Sequence, residues 1–240
     1  MQWVNNETGR IQDLPGLRKL APDARIHTDG AQGFFRQSAT VDELGVDAAT
    51  LTAHKSFGPL GVGVLYLRTG VVLDPLCTGG PQERRLRPGT ENLTAIHGIG
   101  ALARLARTEE LWPRDTLVRL RDALWAEIEA IPGLELVTDM ANSFPNVLAV
   151  TLDDLDADTV LMRLGMAGVA ASSGSACSAG THKASTVLRA MGVPDRRIRG
   201  ALRFSFTANN TVDELAMAGR TLGTVVAELR RHRHTGGSSS

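Results

Sequence analysis

The apolar pattern of the chain changes character at Thr90, and that change constrains the fold more than any single motif does. Before it, short apolar runs recur between turns marked by glycine and proline: Arg25-Ile26-His27-Thr28, then Ala48 to Ala53, then Gly61-Val62-Gly63-Val64-Leu65-Tyr66-Leu67. Runs of this kind fit buried strands of an α/β layer. After it the period becomes helical, and Leu117, Leu120, Leu124, Ile128 and Ile131 keep one apolar face as far as Pro132-Gly133. A new unit begins there. The pattern predicts a strand over Asn146 to Leu152, a helix with an Asp or Thr start over Asp156 to Leu164, and a strand over Gly168 to Ala171. Thr211-Val212-Asp213-Glu214 then forms a capping box before an amphipathic helix carrying Leu215, Leu222, Val225, Val226 and Leu229 on one side and ending in the basic run Arg230 to Arg233. The expected division is an α/β part over 1–98, linking helices with a small α+β domain over 99–235, and a Gly/Ser tail over 236–240.

With 42% hydrophobic residues in 240, there is ample material for a buried core. Basic and acidic residues balance at 26 each, so no net field calls for nucleic acid, and small molecules and proteins are the expected partners. No apolar run approaches the length that spans a bilayer, and the first residues carry neither a charged nor an apolar leader pattern, so the expected location is cytoplasmic. Cys77 and Cys177 sit in different contexts and show no zinc-type spacing; no metal site is expected, and in a reducing compartment no disulfide between them.

Five segments carry chemistry. Ala53-His54-Lys55-Ser56-Phe57-Gly58-Pro59 sets a lysine just after a predicted strand and before a tight turn, where a partly desolvated amine can act as a Schiff-base nucleophile. Upstream, His27-Thr28-Asp29-Gly30-Ala31-Gln32 ends a strand in a carboxylate, the group that keeps a pyridine nitrogen protonated in a pyridoxal 5′-phosphate (PLP) site. A surface lysine and a turn aspartate are the ordinary alternatives. In Ser172-Ser173-Gly174-Ser175-Ala176-Cys177-Ser178-Ala179-Gly180 a thiol lies among small residues that let the backbone bend, suited to sulfur chemistry or simply to a turn. Cys77, after Leu73-Asp74-Pro75-Leu76, reads instead as a packed thiol. Gly79 to Asn92 leads glycines and three arginines into a helix start expected at Thr90, which suits a phosphate or a solvated basic loop. Arg203 alternates with apolar residues in Leu202-Arg203-Phe204-Ser205-Phe206, so its planar fork serves a carboxylate, of a ligand or of a structural ion pair.

Taken in order, and together with Val4-Asn5-Asn6-Glu7-Thr8-Gly9, these segments resemble the PLP-dependent cysteine desulfurases of the NifS/IscS type within the class V aminotransferase-like group. The resemblance runs from Val4 to about Leu229 and implies PLP-dependent transferase fold type I, here as a partial large domain and a small C-terminal domain. It implies that Lys55 binds the cofactor covalently and later moves the substrate α-proton, that Asp29 pairs with the pyridinium, and that Gln32 meets the ring hydroxyl. Thr52 and His54 resemble phosphate ligands. Thr90 resembles the threonine that reaches the phosphate of a neighbouring subunit, which implies a homodimer. Asn6 and Arg203 would hold the carboxylate of L-cysteine, and Cys177 would take the sulfur as a persulfide and pass it to an acceptor protein, an iron-sulfur scaffold or a thiolation enzyme. Such enzymes carry a long segment before the position of Val4 that this sequence lacks, which raises the alternative of a partner-dependent or inactive chain that only binds. A selenocysteine lyase or another enzyme of the same superfamily is the nearer alternative.

Overall fold

The computed structural model describes residues 1–174 and 184–236, which fall into two compact units, 1–5 with 11–111 and 6–10 with 112 onward. The first unit is built on three strands, β1 (His27–Asp29), β2 (Ala48–Thr52) and β3 (Gly63–Leu67), in that order across the sheet. β1 and β2 run parallel with His27 opposite Ala48 and Asp29 opposite Thr50, while β3 returns antiparallel to β2. All three coincide with the predicted runs. The chain start adds to the far side of β1, where the Trp3 N–H donates to Asp29 O at 2.8 Å and the Asp29 N–H to Met1 O at 2.8 Å. Helices α1 (Leu14–Leu20), α2 (Val41–Leu44) and α3 (Leu93–Leu105) belong to the same unit. Among the described residues no strand pairs with the outer edge of β3, and Val64 and Leu65 on it are exposed.

Asp47, buried at the entrance to β2, ties this unit together. Its carboxylate accepts the Ile26 N–H at 2.8 Å, bonds Arg18 and faces Arg25 at 3.5 Å. The backbone donor first, and the two guanidinium groups with it, hold its pKa below the usual carboxylate range. A group depressed in the folded state contributes stability above its unfolded pKa and loses it as pH falls through the folded value. Asp47→Asn therefore costs roughly 1.5–3 kcal/mol at neutral pH, the range for hydrogen bonds to charged groups. Urea unfolding checks this: the gap from wild type narrows as the pH is lowered through the carboxylate range, and a gap independent of pH contradicts it.

The second unit is an antiparallel sheet in the order β4 (Leu134–Leu136), β5 (Val147–Leu152), β7 (Ala201–Ser205) and β6 (Ser172–Ser173). All six residues of β5 are buried. Two long helices, α4 (Arg114–Ile128) and α8 (Val212–Gly236), pack together, burying Leu117, Leu120, Leu124 and Ile128 of one and Leu215, Leu222, Val225 and Val226 of the other. Gly219 lets them approach, since a Cβ there would stand 2.6 Å from the Glu127 Cβ. The capping box at Thr211 forms, with the Glu214 N–H on Thr211 Oγ1 at 3.2 Å and the Thr211 N–H on Glu214 Oε2 at 2.8 Å. Three shorter helices complete the unit, α5 (Ala157–Met166), α6 (Thr186–Ala190) and α7 (Asp195–Ile198).

Several boundaries differ from expectation for local reasons. The strand expected over Gly168 to Ala171 lies at Ser172–Ser173, because Gly168, at φ +82°, and Val169 close α5: the Val169 N–H returns to Leu164 O at 2.9 Å and the Gly168 N–H to Gly165 O at 3.1 Å. α3 begins at Leu93 with the Asn92 side chain as its cap, not at Thr90. It stays whole in the first unit, which runs to Leu111. α8 continues past the basic run to Gly236. Among the described residues no helix is long and apolar enough to cross a membrane.

Candidate active site

The first unit brings five of the expected residues to one end of its sheet. Asp29 closes β1, and Thr52, His54 and Lys55 close or follow β2, so they leave the carboxyl ends of two adjacent parallel strands; Gln32 follows three residues after Asp29. In open α/β sheets that end is where ligands bind. The Asp29 Oδ1 accepts the Ala31 N–H at 2.9 Å, which turns the chain out of the strand. Thr52 Oγ1 and His54 Nδ1 stand 2.6 Å apart, and His54 and Lys55 are both exposed.

The turn that carries Lys55 is rigid. Both the Ser56 and the Gly58 N–H donate to Ala53 O, at 2.8 and 3.0 Å, and buried Ser56 donates its hydroxyl to Phe34 O at 3.1 Å. Ala53 is fully buried in a cluster with Ile99 and Leu102, against which Phe34, Phe35, Val62 and Leu111 pack. Phe57 takes φ +67°, and at Gly58 a Cβ would lie 2.3 Å from the Ala53 Cβ, so only glycine fits there. A residue absent from the sequence reading joins the turn to Gln32. Arg36 donates through Nη1 to Gln32 Oε1 and through Nη2 to Lys55 O, each at 2.5 Å. Burial lowers its pKa to about 10. Its spacing of four from Gln32 was the available cue.

In the second unit three of the motifs converge on Arg203. Its Nη1 donates to Asn6 O at 2.9 Å and its Nη2 to Ser172 Oγ at 3.0 Å, Ser172 being its cross-strand partner between β6 and β7. Glu7 lies beside this group and was likewise missed. Burial raises its pKa, opposed by the Ser185 hydroxyl, which donates to Glu7 Oε2 at 2.5 Å, and by the charge of Arg203. Ser185 in turn caps α6 by accepting the Leu188 N–H at 3.0 Å. Glu7 thus meets the chain just past the cysteine segment, while Cys177 itself lies outside the described residues.

The segment from Gly79 to Asn92 carries three successive residues in the left-handed region, Glu83, Arg84 and Arg85, at φ +46°, +55° and +67°. Thr90 is exposed, and its carbonyl accepts from Arg87 at 3.2 Å. No described hydrogen bond joins Thr90 to Asp29, Gln32, Thr52, His54 or Lys55. Cys77 is exposed, which corrects its reading as a packed thiol: the neighbouring Leu73 and Leu76 are themselves uncovered, Leu76 completely.

The family model for aminotransferase class-V matches residues 1–217. The chain belongs to the aminotransferase class-V family. Among its relatives a cysteine desulfurase of Rhodobacter capsulatus is 38% identical over 235 residues, which is 96% of this chain and 60% of the relative. The X-ray structure of a NifS-like protein from Rickettsia africae superposes with a TM-score of 0.85 at 28% identity, covering 94% of this chain and 61% of that one. The structure of SspA in complex with cysteine superposes at 0.68 and 29% identity, covering 88% and 58%. The chain thus spans about three-fifths of the length of the relatives it matches. Class-V proteins are PLP-dependent in general. The first unit fits that group: a carboxylate, a hydroxyl–imidazole pair and an exposed amine leave the carboxyl ends of two adjacent strands, the amine from a turn that its backbone locks.

Proposed function

We propose that the chain carries out the cysteine desulfurase reaction with PLP, converting L-cysteine to L-alanine while its sulfur passes to Cys177. The observation that carries this reading is the emergence of Asp29 and of Thr52 to Lys55 from the carboxyl ends of β1 and β2. When bound, PLP supplies an electron sink for charge developed at the substrate Cα. Asp29 holds the pyridine nitrogen protonated, Gln32 donates to the ring oxygen, and Thr52 and His54 bind phosphate oxygens, joined by Thr90 in a homodimer. Lys55 presents the only side-chain nitrogen in this group able to act as a nucleophilic amine, and once released it moves the α-proton. Asn6 and Arg203 hold the substrate carboxylate; a guanidinium fork already steadied by Asn6 O and Ser172 Oγ loses little freedom in doing so.

The sulfur step balances without an external oxidant. The Cys177 thiolate attacks the substrate sulfur, the C–S bond breaks with its electrons retained on the carbon side, and a proton there completes alanine, leaving a persulfide on the enzyme. A sulfur-acceptor protein, an iron-sulfur scaffold or a thiolation enzyme, then removes the terminal sulfur. The expected result with the purified chain, saturating PLP, L-cysteine and a thiol reductant is alanine and sulfide in equal amounts. Pyruvate and ammonia in place of alanine would overturn the reading.

A further inference from the structure

We propose that Arg36 is a positioning residue that presets Gln32 and the Lys55 turn for the cofactor ring. This rests on the reading above and extends it to a residue that touches neither cofactor nor substrate. The two partners are 23 positions apart, on turns that follow different strands. One planar fork spans them, which an ammonium with its single nitrogen does not reproduce.

The two contacts have different chemical consequences. A guanidinium has no acceptor, so its partner on Gln32 must be the amide oxygen. With Oε1 engaged, the Gln32 NH₂ is the end left to meet a ligand, and the residue becomes a donor toward an anionic ring oxygen rather than an acceptor. On the other side the fork holds the Lys55 carbonyl, adding a third restraint to a turn already closed by the Ser56 and Gly58 amides on Ala53 O. The backbone of Lys55 is pinned while its exposed side chain stays available. Burial weakens the charged form of Arg36, lowering its pKa to about 10, yet leaves it protonated at neutral pH. Partly desolvated, its two charge-assisted bonds are stronger than the same bonds in water.

The sequence has three lysines, Lys19, Lys55 and Lys183. Lys19 is exposed on α1 and serves as an internal standard. The test is PLP labelling trapped by borohydride at limiting reagent, with peptide mapping of the Lys55-to-Lys19 ratio in wild type, Arg36→Gln and Arg36→Lys. The ratio should favour Lys55 in wild type and fall about tenfold or more in Arg36→Gln, the effect of losing a hydrogen bond to a charged group. Arg36→Lys should recover part of it, because an ammonium restores the charge and one contact. General loosening of the fold would not change a ratio between two lysines in this graded way. In cofactor-free protein, amide exchange at Ser56 and Gly58 should quicken in Arg36→Gln while that of Ala49 to Leu51 does not. A wild-type ratio in both variants overturns the proposal for Arg36. No preference for Lys55 in wild type overturns instead the functional reading on which it rests.

Discussion

Lys55→Ala leaves no borohydride-reducible PLP adduct at position 55, no visible cofactor band and no alanine from L-cysteine. The reason is chemical: of the expected cofactor-binding residues only Lys55 carries a primary amine, and neither the Thr52 hydroxyl nor the His54 imidazole replaces it in a Schiff base. Lys55→Arg should fail equally, since a guanidinium remains protonated and is not a usable nucleophile at neutral pH. That second variant separates charge from nucleophilicity. Neither change should unfold the unit, because the side chain is exposed and the turn is held by Ala53, Ser56 and Gly58 through backbone and buried groups. Peptide mapping of the reduced protein decides the matter, and a wild-type adduct carried by Lys19 or Lys183 in preference to Lys55 would refute the assignment.

How far such a site is legible in sequence depends on whether its contacts are local. β1, β2, β3 and β5 were readable because apolar runs between turn residues read as strands, although of these only β5 is buried along its whole length. α4 was readable from its apolar period alone, and α5 and α8 because period and N-cap agree. The end of α5 was misread for a related reason. Val169-Ala170-Ala171 has strand composition, but closing the helix through Gly168 uses the Val169 N–H before any sheet can pair with it. Cys77 shows the other limit. An apolar neighbourhood in sequence says that residues would gain from burial, not that anything covers them, and around Leu73 to Cys77 nothing described does. Arg36 and Glu7 escaped because their partners, Lys55 and Ser185, lie far along the chain and make bonds that no composition records. Asp29 and Lys55 were legible only as chemistry. Sequence supplied the carboxylate and the amine, whereas their emergence at one end of two parallel strands is a fact of register.

Cys177→Ser should keep the PLP band and the labelling of Lys55 yet lose persulfide formation by a hundredfold or more. At neutral pH an unperturbed thiol with pKa about 8.5 is a few per cent thiolate, whereas a serine hydroxyl is essentially never ionised, and oxygen is in any case the poorer nucleophile toward sulfur. The exposure of Cys77 shapes the measurement. An accessible thiol exchanges with persulfides, so sulfur that first arrives on Cys177 can move to Cys77 before the protein is digested. The assay therefore belongs in a Cys77→Ser background, quenched with an alkylating reagent and read by mass spectrometry as one added sulfur atom on a single peptide. Because Cys77 is not packed, Cys77→Ser itself should alter neither the melting temperature nor alanine formation. In that background the Cys177 peptide should carry the sulfur and Cys177→Ser should carry none. Alanine and sulfide released at the wild-type rate by the double variant would show that sulfur leaves without passing through either cysteine, and the thiol mechanism would fall.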